Sequence, residues 1–261
     1  MKRGRTFLRN GFSLVELLVA SAILLILLLA LLTMTNSTVL FAKLAQRKMD
    51  SASSLRSSMD RMTADISSAI LREDLPPLFV RSTASNGSDE LYLHSQAEGY
   101  GGERGVSVIG YRIRNGKLER GAQGTGWTAN FLRFAESLGT NTIQTQNFDV
   151  VGTKVFRLKV EFLGSNGTML PNTTSPTNWS QVSAVILNLA AVDAKALQMS
   201  GGSQEELAEL LPGIAANPSA GIIADWQETL NNPAFFGASG RFPLEARQGI
   251  EVRRRIVPLA N

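Results

Sequence analysis

The sequence predicts an α+β protein: a long N-terminal transmembrane α-helix that continues into a globular head built on an antiparallel β-sheet. Three observations lead there. From Leu17 to Ala42 run 26 residues without a charge. No Gly or Pro interrupts the stretch from Phe12 to Leu75. Beyond Pro76-Pro77 the apolar residues change from a three-to-four-residue period to alternation, the spacing of strands.

The basic leader comes first. Over the 261 residues the formal net charge is +4, which raises nucleic acid as a partner. Lys2, Arg3, Arg5 and Arg9 account for the excess, because the chain from Phe12 onward holds 22 cations against 22 acids. A nucleic-acid module needs a clustered basic face to neutralise phosphates. The later run Arg253-Arg254-Arg255 is too short for that, so no nucleic acid is expected.

The apolar run follows. As helix its 26 residues span roughly 39 Å at about 1.5 Å per residue, more than the ~30 Å hydrocarbon core of a bilayer. A cleavable signal peptide has a shorter apolar region of about 7–15 residues. The leader cations against Lys43, Arg47 and Lys48 favour a cytoplasmic N-terminus only slightly. Glu16 is the carboxylate that enters this run. Burial of such a group in lipid costs about 2.5 kcal/mol or more, so it either has a partner or sits solvated at the interface, and its position near the end of the span permits both.

The string Gly11-Phe12-Ser13-Leu14-Val15-Glu16-Leu17-Leu18-Val19-Ala20 resembles the cleavage and methylation motif of type IV prepilins and type II secretion pseudopilins. The resemblance implies that a membrane-embedded prepilin peptidase/methyltransferase cuts between Gly11 and Phe12 and methylates the amine of Phe12. It also implies that Glu16, then the fifth residue, pairs with the N-terminus of a neighbouring pilin or pseudopilin subunit during filament assembly. Each buried charge is costly alone and compensated when paired.

The helix is permitted to continue past the membrane. Leu55, Met59, Met62, Ile66 and Ile70 recur at three- and four-residue steps, a stripe that packs against the chain's own head or, alternatively, against a partner helix. This divides the chain into a cleaved leader at 1–11, a transmembrane helix at 12–42, its extramembrane continuation at 43–75 and the head at 76–261.

In the head, Leu78–Val80, Glu90–Leu93 and Val106–Arg114 read as strands. Asn115-Gly116 between Arg114 and Lys117 predicts a β-hairpin, since both turn residues must accept positive φ. Further strands are expected at Phe148–Val151, Lys154–Leu163 and Val182–Ala191, with Gly164–Ser180 as a long loop. Ser203-Gln204-Glu205-Glu206 reads as a capping box before a helix that Pro212-Gly213 ends, and a second helix is expected over Ala220–Leu230. Gly249–Leu259 reads as a final strand whose arginines form a solvated face. No second autonomous domain is expected.

Few groups in the head suggest chemistry. The absence of Cys excludes disulfides, thiolate metal sites and cysteine nucleophiles. His94 is the one histidine, and in the alternating segment Leu91–Ser95 it reads as a strand side chain facing solvent or the core edge. The Gly-rich segment 98–103 lacks the Lys-Ser/Thr of a phosphate loop and reads as a mobile loop. Asn36, Asn86, Asn166, Asn172 and Asn178 each begin an Asn-x-Ser/Thr string, a short and common motif. No catalytic residue, metal or cofactor is assigned.

The functional expectation is a non-enzymatic structural subunit, a minor pilin or pseudopilin of a type IV pilus or type II secretion-like filament. It would sit in the bacterial inner membrane by a single pass, in contact with its lipid, with a cytoplasmic N-terminus before processing and a periplasmic head. The helix from Gln46 to Leu71, the Tyr111–Arg120 hairpin and the Val155–Leu163 strand resemble large J-type minor pseudopilins and minor pilins. The tail after Asp193 resembles prepilin-type cassette proteins of Verrucomicrobia. A K-type tip subunit typically lacks the carboxylate that Glu16 supplies, and the lack of a Pro in the membrane helix departs from major pilins. The alternative is a membrane-anchored periplasmic ligand-binding domain or enzyme that uses a prepilin-like export signal.

Overall fold

The structure, a computed structural model, describes residues 13–70, 78–82, 87–97, 99–101, 106–125, 143–170, 176, 179–236 and 241–259. It divides into two units, Met1–Gln46 and Arg47–Asn261.

One helix, α1, runs Leu14–Ser67. Within the first unit its described side chains are exposed, from Leu14 to Phe41. The helix is long and apolar enough to cross a membrane. Its few polar groups satisfy themselves on the helix backbone. Ser21 Oγ donates to Leu18 O, and Thr33, Thr35, Ser37 and Thr38 donate to carbonyls three or four residues back at 2.8–2.9 Å. Such back-bonding removes the cost of a bare hydroxyl in hydrocarbon.

In the second unit α1 presents Leu55, Met59, Met62 and Ile66 to the core. The absence of Gly and Pro permits helix to Leu75, yet α1 ends at Ser67. The Ile70 amide donates to His94 O at 2.9 Å, and Ala69 bridges Ser95, so a strand takes the backbone groups that another helical turn would have used. Ile70 is accordingly only half-buried and lies beyond the helical stripe.

Among the described residues the head holds two antiparallel sheets where one was expected. The first has five strands in sequence order: β1 (Leu78–Ser82), β2 (Asp89–Ser95), β3 (Val106–Arg114), β4 (Lys117–Thr125) and β5 (Phe148–Gly152). The predicted hairpin joins β3 to β4, with Asn115 at φ 49° and Gly116 at φ 66°, and Arg114 faces Lys117 across it. The second sheet is β6 (Val155–Gly164), β7 (Val182–Val192) and β8 (Ile250–Pro258), in that order. Within the expected long loop Gly164–Ser180, residues 164–170 form an ordered turn. Leu163 bridges Met169, and Asn166 Oδ1 accepts from Thr168 N at 3.0 Å, so a tight polar turn extends the β6 end.

Four helices follow β7: α2 (Ala194–Met199), α3 (Gln204–Leu210), α4 (Ile222–Asn231) and α5 (Leu244–Arg247). Ser203 caps α3 as its sequence predicts, accepting from Glu206 N at 3.2 Å. Asp193 caps α2, accepting from Ala196 N at 2.6 Å, a helix the sequence reading missed. Sheet two lies between two cores. Leu158, Val160, Phe162, Leu187 and Leu189 join the α1 stripe and the first sheet. Phe156, Ala190 and Val192 pack on the other side with Leu207, Leu211, Trp226, Phe236 and Phe242 from the C-terminal helices. Both faces being covered, β7 is buried along almost its whole length.

Candidate functional site

Gly11 and Phe12, where cleavage is expected, lie outside the described residues. Glu16 lies inside them, in the first turn of α1. The Ser13 amide donates to Glu16 Oε2 at 2.9 Å, and the Glu16 amide donates to Ser13 Oγ at 3.2 Å. This is a reciprocal capping box, which satisfies two of the amides that every helix start leaves without an intrahelical acceptor. It also sets a negative charge at the positive end of the helix dipole. Reading Glu16 only as a charge in lipid misses this role, although the Ser-x-x-Glu spacing was a sufficient signal. Among the described residues Glu16 has no cationic partner within 4 Å.

The head places its charges where the alternating strand pattern would not put them. Asp65, on the buried side of α1, accepts from Arg120 Nε at 2.6 Å and Nη2 at 3.1 Å, and also from the Tyr111 hydroxyl. The helix is thereby clamped to β3 and β4. Burial and the Asp65 charge together hold the Tyr111 phenol far above its ordinary range, so it stays protonated and donates to Asp65.

Arg157, Lys159 and Glu161 alternate along β6 and all are buried. Lys159 Nζ donates to Asp89 Oδ1 at 2.5 Å and Asp89 Oδ2 accepts from Val160 N at 2.8 Å, linking the two sheets. Glu161 Oε1 accepts from Ile222 N at 2.9 Å and Oε2 from Asn188 Nδ2 at 2.8 Å, so a sheet carboxylate caps the start of α4. Arg157 donates to Leu211 O at 3.0 Å. Burial pulls its pKa down to about 10, against the pull of Asp89, and it stays charged at neutral pH. The strip therefore latches the C-terminal helices to sheet two.

The arginines of β8 are partly exposed, as a solvated face would be, but each is also paired. Arg253 reaches Glu251 at 2.6 Å, Arg254 reaches Asn188 at 3.2 Å, and Arg255 pairs with Asp60 on α1. His94 is 2% exposed, and burial lowers its pKa to about 4. Within the Gly-rich segment, among the described residues 99–101, Tyr100 bridges Gln123 of β4 and its hydroxyl donates to Asp149 at 2.5 Å. Among the described residues no three His, Asp or Glu side chains group as metal ligands. The charged clusters hold elements together, and the Lys159–Asp89 pair also engages the Ser82 hydroxyl, which donates to Asp89 Oδ1 at 2.6 Å and accepts from Lys159 Nζ at 3.1 Å.

Residues 7–32 match the family model described as the prokaryotic N-terminal methylation motif. No curated sequence matches the chain. Among solved structures, a type IV-like pilin from Thermus thermophilus is similar, at 18% identity and TM-score 0.44, covering 80% of this chain and 96% of its own. A binary complex of two pseudopilins from the type 2 secretion system of Vibrio vulnificus matches at 17% identity and TM-score 0.36, over 56% of this chain and 88% of that one. The GspK–GspI–GspJ complex of enterotoxigenic Escherichia coli matches at 16% identity and TM-score 0.37, over 56% and 90%. The chain thus carries an N-terminal methylation motif at the start of a long apolar helix that leads into an antiparallel head.

Proposed function

We propose that this chain is a non-enzymatic minor pilin or pseudopilin, inserted once in the bacterial inner membrane, cut between Gly11 and Phe12, N-methylated on Phe12 and assembled through α1. The observation that carries the reading is the methylation motif over residues 7–32 placed directly on an uncharged apolar helix. Cleavage would remove all four leader cations and set a new amine on Phe12, directly before the Ser13–Glu16 box. On assembly, the apolar side chains of α1 exchange lipid for neighbouring helices, so hydrophobic transfer contributes little. Packing and the pairing of Glu16 with a neighbour's amine supply the association energy. The head, on the periplasmic side, supplies partner choice.

The test is the intact mass and N-terminal sequence of the protein extracted from membranes of a host with an active prepilin peptidase. The expected product starts at N-methylated Phe12. A chain that still starts at Met1 overturns the reading. A second arm replaces Glu16: Glu16→Ala is expected to leave processing intact while abolishing incorporation into filaments, measured by shearing and immunodetection.

A further inference from the structure

A cleft of about 590 Å³ opens between α4, α5 and the start of β8. Its size falls in the range of about 300–1,000 Å³ typical of small-ligand sites. Gln227 and Asn231, one turn apart on α4, line it with Arg247 of α5 and Gln248 directly after; Leu230 and Leu244 supply apolar wall. Among the described residues no carboxylate lines it, and Glu228 and Glu245, each adjacent in sequence to a lining residue, are not part of the wall.

Among the described residues Arg247 has no carboxylate within 4 Å. Arg112, Arg120, Arg241, Arg253 and Arg255 each have a carboxylate within 4 Å. Arg247 instead donates to the neutral Asn231 Oδ1, which orients the guanidinium. The elements beneath are fixed in place. Trp226 is fully buried and its Nε1 donates to Pro212 O at 3.0 Å, while Glu161 and Asp225 accept from the amides of Ile222 and Ala216. Polar groups carried on rigid helices are the arrangement a binding site requires.

We propose that this cleft binds a hydroxylated carboxylate, a sugar acid. A planar guanidinium matches a carboxylate in bidentate fashion. Three carboxamides, each both donor and acceptor, match hydroxyls that are likewise both, and Leu230 and Leu244 match the C–H face of a sugar ring. A single cation beside acceptor-bearing amides suits a monoanion better than a phosphate dianion. The ligand has two sources, a free sugar acid or a uronate within a polysaccharide. The cleft is built from head residues alone, so it stands or falls apart from processing at Gly11.

The test titrates the full-length protein in detergent with D-glucuronate, trigalacturonate, D-glucose and acetate at constant ionic strength, by calorimetry. A uronate is expected to bind at least about tenfold more tightly than glucose or acetate, and Arg247→Gln to weaken it at least about tenfold without lowering the melting temperature. Tighter trigalacturonate identifies a polysaccharide as the source; tighter or equal glucuronate identifies the free acid. Gln227→Ala, on the exposed side of α4, is expected to cost about threefold and serves if Arg247→Gln unfolds the head. The proposal is overturned if neither uronate binds at about 10 mM. It is equally overturned if glucose or acetate binds as well, or if the variants bind as the parent does.

Discussion

The two ends of α1 obey opposite rules. From Leu14 to Phe41 the helix is apolar all round, its described side chains are exposed, and its hydroxyls turn back onto its own carbonyls. From Leu55 to Ile66 apolar residues keep to one stripe, and that stripe is buried among strands. A helix that is hydrophobic on every side has no preferred face toward a single core and suits lipid or a ring of similar helices; a striped helix belongs to one partner. In this chain the partner of the stripe is its own head, which leaves the partner-helix alternative without a free surface along the stripe.

That contrast is easiest to break at Asp65. Asp65→Ala leaves Arg120 and the Tyr111 hydroxyl buried without their acceptor. The expected cost is about 3–5 kcal/mol of head stability, read as a drop in thermal or denaturant midpoint of the detergent-solubilised protein. Leu55→Ala removes a fully buried side chain from the same face and is expected to cost about 2–5 kcal/mol. Leu27→Ala, 28 positions earlier and 56% exposed, is expected to leave the same midpoint within about 0.5 kcal/mol. Equal effects at the two leucines would dissolve the distinction.

His94 sharpens it through pH. Burial sets the folded imidazole near 4, against an unperturbed 6.5, so below pH 6.5 the unfolded chain binds a proton that the folded head refuses. The His94 contribution to head stability is expected to be lost as pH drops from about 6.5 to about 4 and to change no further below that, by about 3 kcal/mol in total. His94→Leu should flatten that part of the profile. The smallest effect is expected at the other end of α1. Ser13→Ala removes the hydroxyl that accepts from the Glu16 amide and should cost about 1 kcal/mol of helix start. Faster amide exchange confined to the first turn is its signature.

Much of the head was legible where local rules act alone. Asn115-Gly116 sets a hairpin because both residues tolerate positive φ, and the register Arg114 to Lys117 follows from its length. Ser203 and the α1 stripe were legible for similar reasons, as capping and periodicity are read within a few residues. The split into two sheets was not, since β5 and β6 are separated by only two residues and nothing in their composition says they will not pair. The buried Arg157, Lys159 and Glu161 were also hidden. In sequence they look like the polar side of a half-solvated strand, and they become interior only because α3 and α4 fold back over that face.

By itself the sequence determined the parts whose partners are water, lipid or the adjacent turn: a basic leader, an uncharged membrane-length helix with Glu16 at its start, the hairpin and the major strands. Their free energy depends on spacing of a few residues, which a linear pattern carries. Tertiary structure alone decided where α1 stops, which carboxylate caps α4, and that Arg247 is left facing a cleft without an acid. Those outcomes depend on groups tens of residues apart meeting in a low-dielectric interior, where a charge is stable only beside the partner that the fold brings to it.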